Sequence, residues 1–290
     1  VPISGFCNAI LDAQRRVKSI HKGWRNSPFC GAKVCPSMTA KAANVRTQSQ
    51  TRGSDHDAQW YDNFYKSRQL GLPCWYRFLL PELLKTLRPA SKLLELGCGQ
   101  AHILRVLADR DVLPQENITG VDQSKVAIEF CAEQMPKARF LTGDLYDLSE
   151  LPADSFDACL LMETIEHIET PQKPIANVRR VLRENGLLFV SFPNFLHLPW
   201  LLVRILAEKL NRPNWIVLQP VDKIYTVFGV TRLFENAGFR FIKGIGSGYG
   251  PPVLYPYETD PMTRFLNSLR LWRFSFHPIL VFSKVEKETL

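Results

Sequence analysis

The stretch "LLELGCGQAHILRVL", residues 93–107, decides the fold. An apolar run ends in an acid, Glu95, and then in two glycines, Gly97 and Gly99. After them, Ile103, Leu104 and Leu107 recur at helical spacing. A strand, a tight glycine turn and a helix form the opening unit of a nucleotide-binding sheet. A dinucleotide site would carry a third small residue three positions after Gly99, and His102 stands there instead. A carboxylate two positions before the first glycine suits a pyrophosphate poorly and an ammonium group well. The turn therefore points to a cationic ligand with an adenosine part.

Two more acids follow in the same relation to their strands. "NITGVD" reads as a second strand ending in Asp122, 25 residues after Gly97. That is close to the ~20-residue spacing of a carboxylate that binds ribose hydroxyls. "ARFLTGD" reads as a third strand ending at Asp144, whose side chain can accept from an exocyclic adenine amine. Ammonium, ribose and adenine together describe S-adenosylmethionine.

Around these motifs strand and helix alternate. Ser124 is a helix N-cap before "KVAIEFCAEQM". "FDACLLM" is a continuous apolar run, as expected for a strand covered on both faces. "KPIANVRRVLREN" reads as a helix closed by Gly186, and "GLLFVSF" as the fifth strand. "VTRLFENAGFRFIKGIG" reads as helix, turn at Gly238 and sixth strand, and "FHPILVFSKVEK" closes the sheet. Upstream, "YRFLLPELLKTL" has helical spacing and Pro89 stops it. The alternation predicts an α/β fold, a doubly wound, mostly parallel seven-stranded sheet.

"LLELGCGQA", "ITGVDQS", "FLTGDLYDLSELPADSFDACLLMETIEHI" and "VLRENGLLFVSFPN" resemble, in order, the motifs of class I S-adenosylmethionine-dependent methyltransferases. Within that family the chain is most similar to the ubiquinone-biosynthesis-like O-methyltransferase group, over roughly residues 60 to 245. The resemblance implies that Glu95 takes the methionine amino group and that Gly97 and Gly99 admit the backbone close to it. It implies Asp122, with Gln123 beside it, for the ribose, and Asp144 with the Leu145 backbone for the adenine. Met162 would lie by the methionine chain. One departure is Ala101, where the family commonly has a third glycine; a small side chain there implies only slight tightening.

"METIEHIETP" carries the candidate chemistry beyond the cofactor. His167 follows the fourth strand, and an ordinary imidazole pKa near ~6.5 suits a general base at neutral pH. Glu163, Glu166 and His167 have i, i+3, i+4 spacing, which puts them on one face if the segment is helical. Three readings stand side by side: a histidine base, a structural Glu–His pair, and a divalent-metal element of the kind some relatives carry. Relatives with the metal supply a further histidine downstream, where this chain has Asp222 in "QPVDKIYT".

Residues 193–226 form an apolar insertion with Trp200 and Trp215, interrupted by Pro199 and Pro213. It reads as a lid or as a surface for an apolar, lipid-linked acceptor. Residues 246–275 read as an acceptor-side loop. The expected partner is a small-molecule or lipid- or saccharide-linked acceptor, with peripheral membrane contact open and no specific nucleic acid. An RNA methyltransferase and a non-catalytic S-adenosylmethionine-binding protein remain as alternatives.

Composition sets the outer bounds. The net charge of +8 lies entirely before Asp55, where nine Lys or Arg face one acid. From Asp55 onward 27 basic and 27 acidic residues cancel, and residues 56–290 are expected to form the methyltransferase domain, so a nucleic-acid role cannot rest on global charge. Residues 1–55 read as a disordered tail, as an over-extended start with Met38 as the natural one, or as a transit peptide. The compartment expected is cytoplasmic, with a mitochondrial alternative. The seven cysteines lack paired CxxC spacing, which argues against a disulfide framework.

Overall fold

The computed structural model describes residues 54–66, 76–210, 220–250 and 260–285. The tail before Ser54, and Trp215 and Pro213 of the insertion, lie outside the described residues. Two helices come first, α1 (Ser54–Lys66) and α2 (Tyr76–Thr86). The sheet then builds as β1 (Leu93–Leu96), α3 (His102–Asp109), β2 (Ile118–Asp122), α4 (Lys125–Gln134), β3 (Arg139–Thr142) and β4 (Phe156–Met162). It continues through α5 (Gln172–Val181), β5 (Leu182–Ser191), α6 (Leu198–Lys209), α7 (Val227–Asn236), β6 (Phe239–Ile245), α8 (Asp260–Ser268) and β7 (Ile279–Lys284).

The seven strands lie in the order β3-β2-β1-β4-β5-β7-β6. All neighbours are parallel except β7, which runs antiparallel between β5 and β6. The strand order reverses between β1 and β4, so a crevice opens above that point. β1 is buried along its whole length, Glu95 included, because helices cover both faces. Leu79, Leu83, Ile103, Leu104, Leu107 and Ile128 from α2, α3 and α4 fill one face. Ile175, Val178, Val230 and Phe234 from α5 and α7 fill the other. Burying each such aliphatic side chain stabilises the fold by about 1.5–3 kcal/mol.

The α5–β5 junction departs from the sequence reading. The helix ends at Val181, and Leu182 already pairs with Phe156 of β4. The register then jumps, with Leu187 opposite Ala158, so residues 183–185 bulge outward and are exposed. Gly186 closes this bulge and not a helix. A Cβ there would sit 2.7 Å from the Arg183 carbonyl, which explains the glycine. Gly238, at φ 83, makes the expected turn between α7 and β6.

The segment expected as a loop, residues 246–275, contains α8 and a short 3₁₀ turn, Leu271–Phe274. Asn194 ties the start of the insertion to the stretch before β7. Its side chain donates to the Arg273 and Ser275 carbonyls at 2.8 and 2.9 Å. Trp200 of α6 packs on Phe276, ring centroids 4.9 Å apart. Among the described residues no helix is long and apolar enough to cross a membrane.

Candidate functional site

The glycine turn lies at the carboxyl end of β1. Gly97 and Gly99 both take left-handed φ values, 68 and 49. A Cβ at Gly97 would come within 2.5 Å of the Thr164 hydroxyl, and one at Gly99 within 2.5 Å of the Tyr65 hydroxyl. Only glycine meets both demands. Ala101 shares the left-handed region, at φ 50, and caps α3. The missing third glycine is therefore a matter of backbone strain as well as of tightness.

Glu95 is nearly inaccessible, and its Oε2 has no hydrogen-bond partner among the described residues. Burial, with Cys131 and Asp122 nearby, pushes its carboxyl well above the usual carboxylate range. A buried carboxylate without a counter-charge is costly, so the arrangement calls for a cation.

Asp122 ends β2 and is buried. Its Oδ2 accepts from the Gly99 amide at 2.8 Å and its Oδ1 from the Ser124 amide at 2.9 Å. Burial raises its pKa, and these amide donors pull against that. The carboxylate thus ties the first turn to the second, with the Gln123 backbone as a further donor. Gln123 beside it is half-buried. Asp144 is exposed just after β3 and accepts from the Tyr146 amide at 3.0 Å, an Asx turn. Leu145 is half-buried, its carbonyl held by Asn177 at 3.0 Å. Met162, buried at the end of β4, pairs with Ser191 of β5.

The sequence reading missed the part that α1 plays. Asp62 Oδ1 accepts from the Ser124 hydroxyl at 2.6 Å and from the Val126 amide at 3.1 Å, at the N-terminus of α4. Tyr65 is set over the glycine turn, its phenol pushed up in pKa by burial and then by Asp122. Tyr61 faces the His167 ring, centroids 6.4 Å apart. No motif in "YDNFY" marks these contacts, which join residues far apart in the chain, Asp62 and Ser124 by 62 positions.

The segment "METIEHI" corrects a second expectation. It is not an α-helix. Ile165–His167 form one 3₁₀ turn, preceded by Glu163 in the left-handed region at φ 50. Glu163, Glu166 and His167 therefore do not share a helical face. Glu166 is buried and its pKa is raised, by burial first and by Glu163 second. His167 Nδ1 donates to the Val221 carbonyl at 2.7 Å, and its Nε2 lies 3.6 Å from Glu166 Oε1. Burial lowers its pKa. Asp222 turns to Arg204, 3.5 Å away. Among the described residues no three His, Cys, Asp or Glu side chains converge as metal ligands, so the option of Glu163, Glu166 and His167 as a metal set is not met.

Glu163 instead looks across β5. Its Oε1 accepts from the Ser191 hydroxyl at 2.8 Å, and its Oε2 lies 3.1 Å from His277 Nδ1. Sequence spacing gave no hint of this, since 114 residues separate the pair.

Residues 94–190 match the model of a family described as a methyltransferase domain. A ubiquinone biosynthesis O-methyltransferase of Coxiella burnetii is 26% identical over 222 residues, 74% of this chain and 91% of the relative. An uncharacterised 37.1 kDa protein of a Streptomyces fradiae transposon is 27% identical, and the match spans 54% of its length. Among solved structures, a Haloferax volcanii methyltransferase seen with its Trm112 activator superposes with a TM-score of 0.56. That similarity covers 82% of this chain and all of the neighbour at 17% identity, and it bears on the fold alone.

Proposed function

We propose that this chain, which is a class I S-adenosylmethionine-dependent methyltransferase, methylates a hydroxyl oxygen of a small or lipid-linked phenolic acceptor. The observation that carries the reading is the buried, partnerless Oε2 of Glu95. A ligand ammonium there would restore the charge balance that burial denies the carboxylate. In this reading Gly97 and Gly99 bring backbone close to the amino acid moiety. Asp122 and Gln123 take the ribose hydroxyls, and Asp144 with the Leu145 amide takes the adenine. Met162 walls the methionine chain.

When bound, S-adenosylmethionine supplies an electrophilic methyl on a sulfonium. The leaving thioether is neutral, so no protein group need protonate it. The residues of this chain bind, align and exclude water, and an acceptor hydroxyl needs a base. The oxygen acceptor is supported by relatives named for O-methylation, the ubiquinone biosynthesis enzyme and a malonyl-[acyl-carrier protein] O-methyltransferase of Paenibacillus. The phenolic, apolar character is supported by aromatic side chains beyond the strand ends, Tyr61, Tyr225 and Phe276. Leu198, Leu202 and Leu206 of α6 are exposed and suit an apolar tail.

The test is methyl transfer from isotopically labelled S-adenosylmethionine to a panel of catechols, phenols and amines and to a lipid extract, with products identified by mass spectrometry. Label on a phenolic oxygen supports the reading. Label only on nitrogen or carbon, or none, contradicts it. An added chelator reads the metal option: loss of activity that Mg²⁺ or Mn²⁺ restores would revive it.

A further inference from the structure

Resting on the oxygen-methylation reading, we infer that His277 is the general base and that Glu163 and Ser191 position it. The topology places the three together. Met162 pairs with Ser191, and Ser191 pairs with Ile279, so β4, β5 and β7 lie side by side at this edge. Glu163 follows Met162 and His277 precedes Ile279 by two residues. The group therefore sits beyond the carboxyl ends of β4 and β5, next to the crevice at β1 and β4 where the cofactor residues converge. The cofactor acids occupy the β1–β3 half of the sheet and this group the other half.

The local geometry is that of an oriented imidazole. The Ser191 hydroxyl, itself fully buried, donates to one oxygen of Glu163 at 2.8 Å. The Ser191 carbonyl accepts from the Glu163 amide at 3.1 Å. The other carboxylate oxygen lies 3.1 Å from His277 Nδ1. A proton on Nδ1 held by a carboxylate leaves the basic lone pair on Nε2 and stabilises the imidazolium that forms. The His277 backbone is fixed as well, its amide donating to the Ser247 carbonyl at 3.1 Å. Glu163 holds a left-handed φ of 50, a strained conformation for a non-glycine residue. Such strain clusters where a side chain must be aimed. His167, by contrast, spends Nδ1 on the Val221 carbonyl and turns Nε2 to the buried Glu166, so it serves to hold residues 221–223 against the 3₁₀ turn.

In the transfer, the acceptor O–H proton passes to His277 Nε2 as an oxygen lone pair forms the O–CH₃ bond. The S–CH₃ bond breaks with its electron pair going to sulfur, giving the neutral thioether. The imidazolium then returns the proton to solvent.

The test uses the full chain, S-adenosylmethionine and 4-hexylcatechol. His277→Gln should lower kcat by about 10²–10⁴-fold, with S-adenosylhomocysteine affinity within about twofold of wild type. The deficit should shrink above the catechol's own ionisation. Glu163→Gln should lower kcat by about tenfold while leaving the catechol KM and the S-adenosylhomocysteine affinity within about twofold of wild type, because the imidazole loses its orienting carboxylate and the binding sites do not change. Wild-type turnover in His277→Gln, or a Glu163→Gln deficit that lies in the catechol KM or in cofactor affinity and not in kcat, overturns the assignment alone. A wild type that binds cofactor and methylates no catechol contradicts the phenolic reading on which it rests.

Discussion

Glu95 is the residue on which stability and function pull in opposite directions. Its folded-state pKa is raised, and the unfolded value is about 4.3. Between those two values the unfolded chain releases a proton that the folded chain keeps, so stability of the cofactor-free protein falls as pH rises through the window. Glu95→Gln should remove that cost. At neutral pH the cofactor-free variant is expected to melt a few degrees higher, the scale of about 1 kcal/mol. A lower melting temperature would show that the carboxylate is stabilised by something else. Ala101 gives a second stability test. Its left-handed φ costs about 1–2 kcal/mol, and glycine gives back about 0.5–1 kcal/mol in chain entropy. Ala101→Gly should thus stabilise by roughly 0.5–1 kcal/mol in a denaturant titration, and a destabilised variant would mean that its methyl packs usefully. Asp122→Ala removes the acceptors of the Gly99 and Ser124 amides and, in the proposed cofactor assignment, those of the ribose hydroxyls. It should weaken S-adenosylmethionine binding by about 1–3 kcal/mol and also lower the melting temperature, whereas unchanged affinity would sink the ribose role.

At the scale of elements, α1 and the residues after β4 carry most of what the sequence hid. Asp62 satisfies the α4 N-terminus through Ser124 and Val126, where a carboxylate also meets the positive end of the helix. Asp62→Ala is expected to cost about 1–2 kcal/mol of stability and, by loosening Tyr65 from the glycine turn, to weaken cofactor binding. Loss of stability with unchanged affinity would reduce α1 to a cap. Strand ends with their acids were legible because each follows an apolar run and a turn, patterns that are local. Ser124 as an N-cap was legible for the same reason, and its hydroxyl does accept from the Ala127 amide at 3.2 Å. The helix end at Val181 was misread because "LREN" has good helix formers, and pairing of Leu182 with Phe156 overrode propensity. The "ETIEH" spacing suggested a helical face, but a left-handed Glu163 and one 3₁₀ turn aim the side chains elsewhere. The Glu163–His277 pair and the Asp62–Ser124 contact join residues far apart in the chain, which no periodicity reports.

At the scale of the whole molecule, one sheet divides the work. β1, β2 and β3 present Glu95, Asp122 and Asp144 toward one side of the crevice, and β4, β5 and β7 present Met162, Ser191 and His277 toward the other. The antiparallel β7 matters here, because it brings the start of a strand, and so His277, to the edge where parallel strands end. All of it depends on Glu95 facing a cation. Calorimetric titration with S-adenosylmethionine near pH 6.5, in two buffers of different ionisation heat, tests this most directly. Wild type should bind and release up to one proton per cofactor, since the carboxyl must ionise to meet the ammonium, and its affinity should rise with pH. Glu95→Gln should bind more weakly by about 2–5 kcal/mol and release no such proton. Equal affinity and equal proton release in the variant, or no binding by the wild type, would contradict the assignment.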